Sequence, residues 1–565
     1  MHAAAPPIQD PRSRRPAVLV VALLVASGCG GDDGKSAVDP SPSIETISPT
    51  EHLSRASVAL RGVRPSLADL QTVRDDPSRL DGLIEGYVDS DDIGPAIRHM
   101  HGEWLLTDVF LSYFPAGYAA VGELSDVDAH QLNLAVTEGT ARLAEHIVLD
   151  DRPYTELVTA DYIMANPLTA VVWGLELEGE GWQEARFEDG RPHAGLLSDP
   201  NYYTRHASTD TNRQRARGAH ITRALLCHDY MRREVRVPEG VDLTDGGDRA
   251  IQDNAVCVSC HNTLDPMAGA FAENVGVIVP QYTRRYPIET WDPSLADDYD
   301  PIYFYGIPAH DIIDVGEIIA EDSRFARCAI RRHYGQLMAM DADDVPDSVV
   351  DELLPVWQGQ GGQVRPLLAA IATSDAFASS GPVERSDGVA AEGLRRATPW
   401  HMQRVMEELT GFRWDMDVDY NLGYGRVGEV ELADNITFGF RVHSGGADGF
   451  DIWDPMRTAN PTTLLVMREV AGMAAKKVVA DDLYGDGSPR LLTRVSTDTT
   501  DENSVREQLV DLHLRLHGKV EAADGPAVTA SWTLFSGELS RASDAATAWE
   551  LTLFAMLQDP TLLYY

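Results

Sequence analysis

The five residues Cys257-Val258-Ser259-Cys260-His261 constrain this chain more than any other stretch, because CxxCH is the attachment pattern of a c-type haem. Two thiols three positions apart can each form a thioether with one haem vinyl group. The next residue then sets an imidazole beneath the iron as proximal ligand. The background adds weight, since 565 residues hold only five cysteines, too few for a disulfide scaffold. Three other readings compete. A structural zinc site needs further ligands, and there is no second CxxC or nearby H-x₃₋₅-H; Cys227 and His228 could complete one, although adjacent ligands tend to point apart. A thioredoxin-type pair would follow a strand and open a helix, whereas the preceding DGGDRAIQDNAV is polar. The third is a plain Cys257–Cys260 disulfide. Haem is the reading the pattern favours.

The amino terminus accounts for another cysteine. Arg12, Arg14 and Arg15 make a positive region ahead of the apolar stretch Ala17 to Ser27. That stretch suits a signal peptide and falls short of the roughly 20 residues that span a bilayer. It runs into Ala26-Ser27-Gly28-Cys29, which resembles the lipobox of bacterial lipoproteins, with Val25 one place earlier than the usual aliphatic. The alternative is an ordinary signal peptide cut nearby. Residues 1–28 are thus expected to be a lipoprotein signal peptide, Cys29 the lipidated residue, and 29–49 a flexible polar tether. The mature chain is expected to be exported and anchored to a membrane facing the periplasm or the cell surface.

Charge narrows the partners. With 47 basic and 88 acidic residues, 47 − 88 gives −41. Nucleic acid binding needs clustered Lys and Arg and is excluded as a class; a polybasic hold on anionic lipid is excluded on the same ground. A redox partner should instead be a basic protein. Around the motif, Asp242, Asp245, Asp248, Asp253 and Asp265 are acidic, with Arg232, Arg233 and Arg236 upstream.

After the motif the chain continues His261-Asn262-Thr263-Leu264-Asp265-Pro266-Met267-Ala268-Gly269 and reaches Glu273. This resembles the CxxCH…DPxG…E signature of the planctomycete-type cytochrome C-like proteins, with one extra residue between Pro and Gly. Asp151 to Gly174, His193 to Cys227, Ser323 to Met340 and Leu367 to Phe377 are similar to further blocks of that family. Arg55 to Asp76 resembles the opening of a related cytochrome-associated domain. The resemblance covers roughly residues 50 to 395. It implies haem attachment at Cys257, Cys260 and His261, and little about substrate.

Counting leaves Cys227 and Cys328. In an oxidising compartment this pair is expected to be bridged, stapling the haem segment between two helices; the alternative is two buried thiols.

The rest reads as mainly α, a multi-segment helical protein with long ordered loops and a small β hairpin in the C-terminal part. Apolar residues at three-and-four spacing predict helices at Ser66 to Val73, Ser125 to Val136, Ser348 to Trp357 and Pro399 to Leu409. Tyr286 to Pro308 carries four prolines and is expected to be an ordered loop. Ile436 to His443 is the one strand-like run. Ser379 to Glu392 is rich in Gly and Ser and marks a boundary. The segments are then an N-terminal helical domain at 50–190, the haem segment at 191–285, a loop and helical segment at 286–380, and a C-terminal helical domain at 394–565. In that last part DLHLRLHG (511–518) faintly echoes SRASVALRG (54–62), a hint of a divergent repeat. Asp415, Asp417 and Asp419 resemble the start of a calcium loop. Tyr420 and Arg426 stand where its Gly and Glu should be, so a solvated acidic loop is the default. No P-loop, dinucleotide fingerprint or G-x-S-x-G is present.

The iron's sixth ligand remains open. Met338 and Met340 are distal candidates with ample reach, as are His310 and His333, while Met267 is too close to His261 to pass around the haem edge. The sequence therefore points to a lipid-anchored c-type cytochrome-like protein with one covalent haem c, passing single electrons outside the cytoplasm. The alternatives are a helical binding or scaffold lipoprotein of the cell envelope, and a haem enzyme with an open distal site.

Overall fold

Ser48 and Thr398 each stand immediately before a proline, and each caps a helix. The Ser48 hydroxyl accepts from the Glu51 amide and the Glu51 carboxylate accepts from the Ser48 amide, so two orphan donors are satisfied reciprocally. Thr398 accepts from the His401 amide. Proline in the first turn has no amide to leave unpaired. The two helices, Pro49–Arg61 and Pro399–Thr410, both end on a left-handed glycine, Gly62 at φ 72° and Gly411 at φ 68°. The residues ahead of each cap are tied down as well. Thr46 bridges antiparallel to Ser379, and Arg396 bridges antiparallel to Tyr564. The first two-thirds of the chain and the last third therefore each begin where they end.

A computed structural model describes residues 44–107, 124, 125, 127, 129–209, 212–230, 232, 254–276, 286–295, 301–420, 425–433, 440–449 and 451–565. The expected signal peptide, Cys29 and the tether up to residue 43 lie outside the described residues, as do Arg233, Arg236, Asp242, Asp245, Asp248 and Asp253. Residues Ile44–Tyr565 form one unit around two main cores. The first core draws on Leu53, Leu197, Phe271, Phe304, Leu337 and Phe377, so the segments 50–190, 191–285 and 286–380 share it. The second core gathers Met406, Val470, Val478, Leu509, Phe535 and Trp549. A smaller one holds Leu132, Val136, Ile163 and Trp173.

The protein is mainly α. Among the described residues its sheets are four two-stranded antiparallel pairs. Helices form at Leu67–Asp75 behind the Ser66 cap, at Asp347–Gly359 and at Pro399–Thr410, as the spacing predicts. The helix expected from Ser125 spans Ala129–Thr137. The C-terminal third is built on four helices: Pro461–Tyr484, Glu502–His517, Pro526–Ala542 and Ala545–Met556.

Three local expectations change. The proline-rich stretch after Tyr286 contains a hairpin, Ile302–Phe304 with Ile307–Ala309, in which Pro308 stands opposite Tyr303. Of the strand expected at 436–443, residues 436–439 lie outside the described set, and Phe440–His443 form a bend and turn. The C-terminal hairpin lies earlier, where Asp415–Tyr420 pairs with Gly425–Glu431, so the acidic run is a strand and not a loop. Ser379 to Glu392 is also more ordered than its composition suggests: Val383–Arg385 pairs with Gly388–Ala391. The Arg55 guanidinium clamps its ends by donating to the carbonyls of Phe377, Ser379 and Gly393 at 2.7–2.8 Å. Among the described residues no helix is long and apolar enough to cross a membrane.

Candidate haem-attachment site

Cys257, Cys260 and His261 lie on one helix, Ala255–Ala268, capped by the Asn254 side chain. At spacings of three and four residues their side chains share a face. The same stripe continues through Leu264, Met267 and Phe271, all buried in the first core. The motif is therefore the outer end of a core-facing stripe, half-buried where the core gives out. Both thiols are free. Residues 233–253 and 277–285 are outside the described set.

The imidazole is oriented. His261 Nδ1 donates to Asp265 Oδ1 at 2.9 Å, one helical turn on. Asp265 is held in turn by Arg215, whose Nε reaches Oδ1 at 2.6 Å and whose Nη2 reaches Oδ2 at 3.3 Å. His261 Nε2 has no partner among the described residues. This is the arrangement a metal-ligating histidine needs: the second nitrogen is tied to a carboxylate, which fixes the ring and leaves the first free to ligate. Two free thiols and an oriented imidazole on one face fit a c-type haem, with thioethers at Cys257 and Cys260 and iron at His261.

Arg215 belongs to the helix Arg215–Leu226, which packs along the motif helix. The packing is close, because a Cβ on Gly218 would come within 3.0 Å of Met267 Sδ. The far end of that helix is capped by Cys227 in the left-handed conformation, φ 48°. Cys227 is disulfide-bonded to Cys328 of the helix Ser323–Met338, with Cα atoms 5.3 Å apart and the two residues 101 positions apart in sequence. The bridge thus fixes the helix that holds the Asp265 carboxylate.

The distal candidates are dispersed. Met338 is 1 % exposed in the first core, and its sulphur accepts from Arg395 Nη2 at 2.9 Å. Met340 lines a cleft with Arg332, Asp341 and Trp453. Met267 is fully buried beside Gly218. His310 is exposed and donates to Asp314 at 2.7 Å. His333 is buried; its Nδ1 donates to the Ala329 carbonyl at 2.7 Å, while its Nε2 is sealed without a partner. Around His333 stand His101, Trp104 and Tyr154, with ring centroids 5.6, 4.8 and 5.5 Å away. Burial drives the His333 pKa down to about 4 and that of His101 to about 3.

Of the charged groups flagged around the motif, two described ones are committed. Asp265 serves His261 and Arg215, and Arg232 pairs with Asp341 at 2.5 Å and with Asp343. Sequence reasoning missed the Arg215–Asp265–His261 relay. The four-residue step from His261 to Asp265 was the signal that could have found its nearer half. Comparison of the chain with protein-family models, with curated proteins and with solved structures returned no match.

Proposed function

We propose that this chain is an exported, lipid-anchored c-type cytochrome-like protein that carries one covalent haem and transfers single electrons outside the cytoplasm. The observation that carries the reading is the His261 imidazole, tied through Nδ1 to the Arg215-held Asp265, on the same helix face as the free thiols of Cys257 and Cys260. The bound haem would supply one-electron redox chemistry. The chain's own groups do the rest. The two thiols anchor the macrocycle, His261 holds the iron, and Asp265 with Arg215 keeps the ring turned and strengthens it as a donor. The resemblance around the CxxCH…DPxxG stretch and the lipobox-like Ala26-Ser27-Gly28-Cys29 support the same reading. A haem enzyme with an open distal position is the second reading, favoured by the engagement of the Met338 sulphur with Arg395.

The test is expression in a host with a cytochrome c maturation system, followed by haem staining after denaturing electrophoresis. Wild-type protein should stain, and the Cys257→Ala, Cys260→Ala double variant should not. A colourless wild type overturns the reading in favour of a scaffold lipoprotein. For the staining protein, electron transfer with a small basic redox protein should slow steeply as salt rises, because screening shortens to about 8 Å near physiological ionic strength.

A further inference from the structure

The helix Glu502–His517 carries two histidines one turn apart, His513 and His517, and they form a chain of hydrogen bonds with the two helices that follow. His517 Nε2 lies 3.1 Å from the Met556 carbonyl, which can only accept, so the proton sits on Nε2 and His517 Nδ1 is bare. That bare nitrogen is 3.3 Å from His513 Nδ1. Two facing lone pairs would repel, so His513 Nδ1 carries a proton and donates to His517. His513 Nε2 is then bare in turn, and it accepts from the Ser531 hydroxyl at 3.1 Å. One carbonyl thus sets both tautomers and aims a basic nitrogen at a hydroxyl group.

Both rings are uncharged at neutral pH. Burial lowers the His517 pKa to about 4 and holds that of His513 below 6.5. When His513 does take up a proton, the Glu521 and Asp559 carboxylates and the Ala527 carbonyl favour the cation, while Lys519 opposes it. Asp559 also acts on His517, with Arg64 opposing. Ser531 stands on the helix Pro526–Ala542 between the buried Val528 and Phe535 and is itself only half-buried, so it is within reach of solvent.

We propose that Ser531 is a nucleophile towards small uncharged esters, with His513 as its general base and His517 as the residue that positions the base. A hydroxyl, a bare imidazole nitrogen and a third group holding the opposite nitrogen are the parts such catalysis needs. Ser531 Oγ adds to the ester carbonyl while its proton passes to His513 Nε2. The tetrahedral adduct expels the alcohol, which takes that proton from His513. Water then adds to the acyl-serine with His513 again as base, and collapse of the second adduct releases the carboxylic acid and restores Ser531. Two carboxylates against one ammonium act on the His513 ring, which disfavours an anionic ester. The relay needs no haem.

Diisopropyl fluorophosphate is the probe, mixed with the full chain and read by intact mass and peptide mapping. Ser531 Oγ should displace fluoride and carry a single diisopropylphosphoryl group, which Ser531→Ala should lack. His513→Gln should slow the labelling about a hundredfold. Labelling of the wild type should fall as pH is lowered through the His513 titration, below 6.5. His517→Ala should move that midpoint to lower pH, because it removes the acceptor that stabilises the His513 cation; a merely structural role would leave the midpoint in place. Para-nitrophenyl acetate should be hydrolysed faster than the anionic para-nitrophenyl hemisuccinate. Wild-type protein left unlabelled at Ser531 overturns the proposal, as does equally fast labelling of His513→Gln. Faster turnover of the hemisuccinate overturns the substrate class. If His513→Gln fails to fold, the wild-type pH profile decides: labelling indifferent to pH overturns the proposal on its own.

Discussion

Val58 and Leu514 are buried in each other's cores. Val58 belongs to the first helix yet packs in the core of the C-terminal half; Leu514 belongs to the helix Glu502–His517 yet packs in the first core. Each stands four residues before a left-handed glycine, and each carbonyl accepts that glycine's amide at 2.9 Å, Gly62 on Val58 and Gly518 on Leu514. The echo of SRASVALRG in DLHLRLHG thus corresponds to two helix ends that interlock the halves. A Cβ on Gly518 would lie 2.7 Å from Ser54 Oγ, which measures how closely they approach.

Removing one of the exchanged side chains should loosen both halves together. Leu514→Ala should cost about 2–5 kcal/mol, the range for a buried leucine that leaves a cavity. Urea unfolding followed by far-UV circular dichroism and by tryptophan fluorescence should give one coincident, shifted transition. Two separated transitions would mean that the exchange does not couple the cores.

Asp265→Asn keeps the size of the side chain and removes the carboxylate that the His261 ring and Arg215 share. Haem staining should persist, because the thioethers do not involve Asp265. The midpoint potential should become more positive, because a less basic imidazole stabilises oxidised iron less well. Potentiometric titration of both proteins is the measurement, and an unchanged potential would sink the positioning role.

Acid should destabilise the fold between pH 6.5 and about 4. Burial lowers the pKa of His333 to about 4 and that of His101 to about 3, and holds His206 and His401 well below 6.5. Across this window the unfolded chain binds protons at these sites and the folded chain does not. Stability therefore rises with pH, by up to about 1.4 kcal/mol per pH unit for each site. Asp199 opposes the trend, since burial raises its pKa to about 6 and the folded state holds the extra proton. Asp343, Glu408 and Glu431 are raised by burial as well, while His52, His193, His220, His513 and His517 are lowered, so among the described residues nine imidazoles stand against four carboxyls and the net slope is positive. Urea midpoints at pH 4.5, 5.5 and 6.5 check the sign, and His333→Gln should flatten the curve.

Opening the Cys227–Cys328 bridge by Cys328→Ala should lower stability by a few kcal/mol, up to about 5 for a closed loop of this length in the chain-entropy model. Limited proteolysis should then cut first within residues 228–327, the loop that the bridge closes. Cutting elsewhere at wild-type rates would show that packing alone holds the motif helix.

Cys29→Ala should release the chain from membranes into the soluble fraction, since lipidation is the proposed anchor. Retention of the variant after a high-salt wash would point to another attachment.

Signals confined to a single turn of chain were legible in the sequence. Ser66, Thr398 and the three-and-four spacing after them mark real helix starts because a cap and its helix are local. The CxxCH string was legible for the same reason, but the helix Ala255–Ala268 that carries it was not read from the sequence. Arg215 was not, because it reaches Asp265 from 50 residues away. The hairpin at Asp415–Tyr420 was misread because alternate aspartates look like a solvated loop, whereas register against Gly425–Glu431 decides the backbone there.

The paired ends of the first half set an order of events during synthesis. Glu45 offers its carbonyl to the amide and hydroxyl of Ser380, 335 residues later. The chain must therefore hold its opening segment unpaired until two-thirds of its length has been made. Closing so long a loop is slow relative to forming the local helices between. The capped helix Pro49–Arg61 can form early, yet its face has no complete core to meet until Phe377 arrives. A ribosome stalled before residue 377 would present a nascent chain rich in helix and open to proteases, and one released just beyond Gly393 would present a closed first ring.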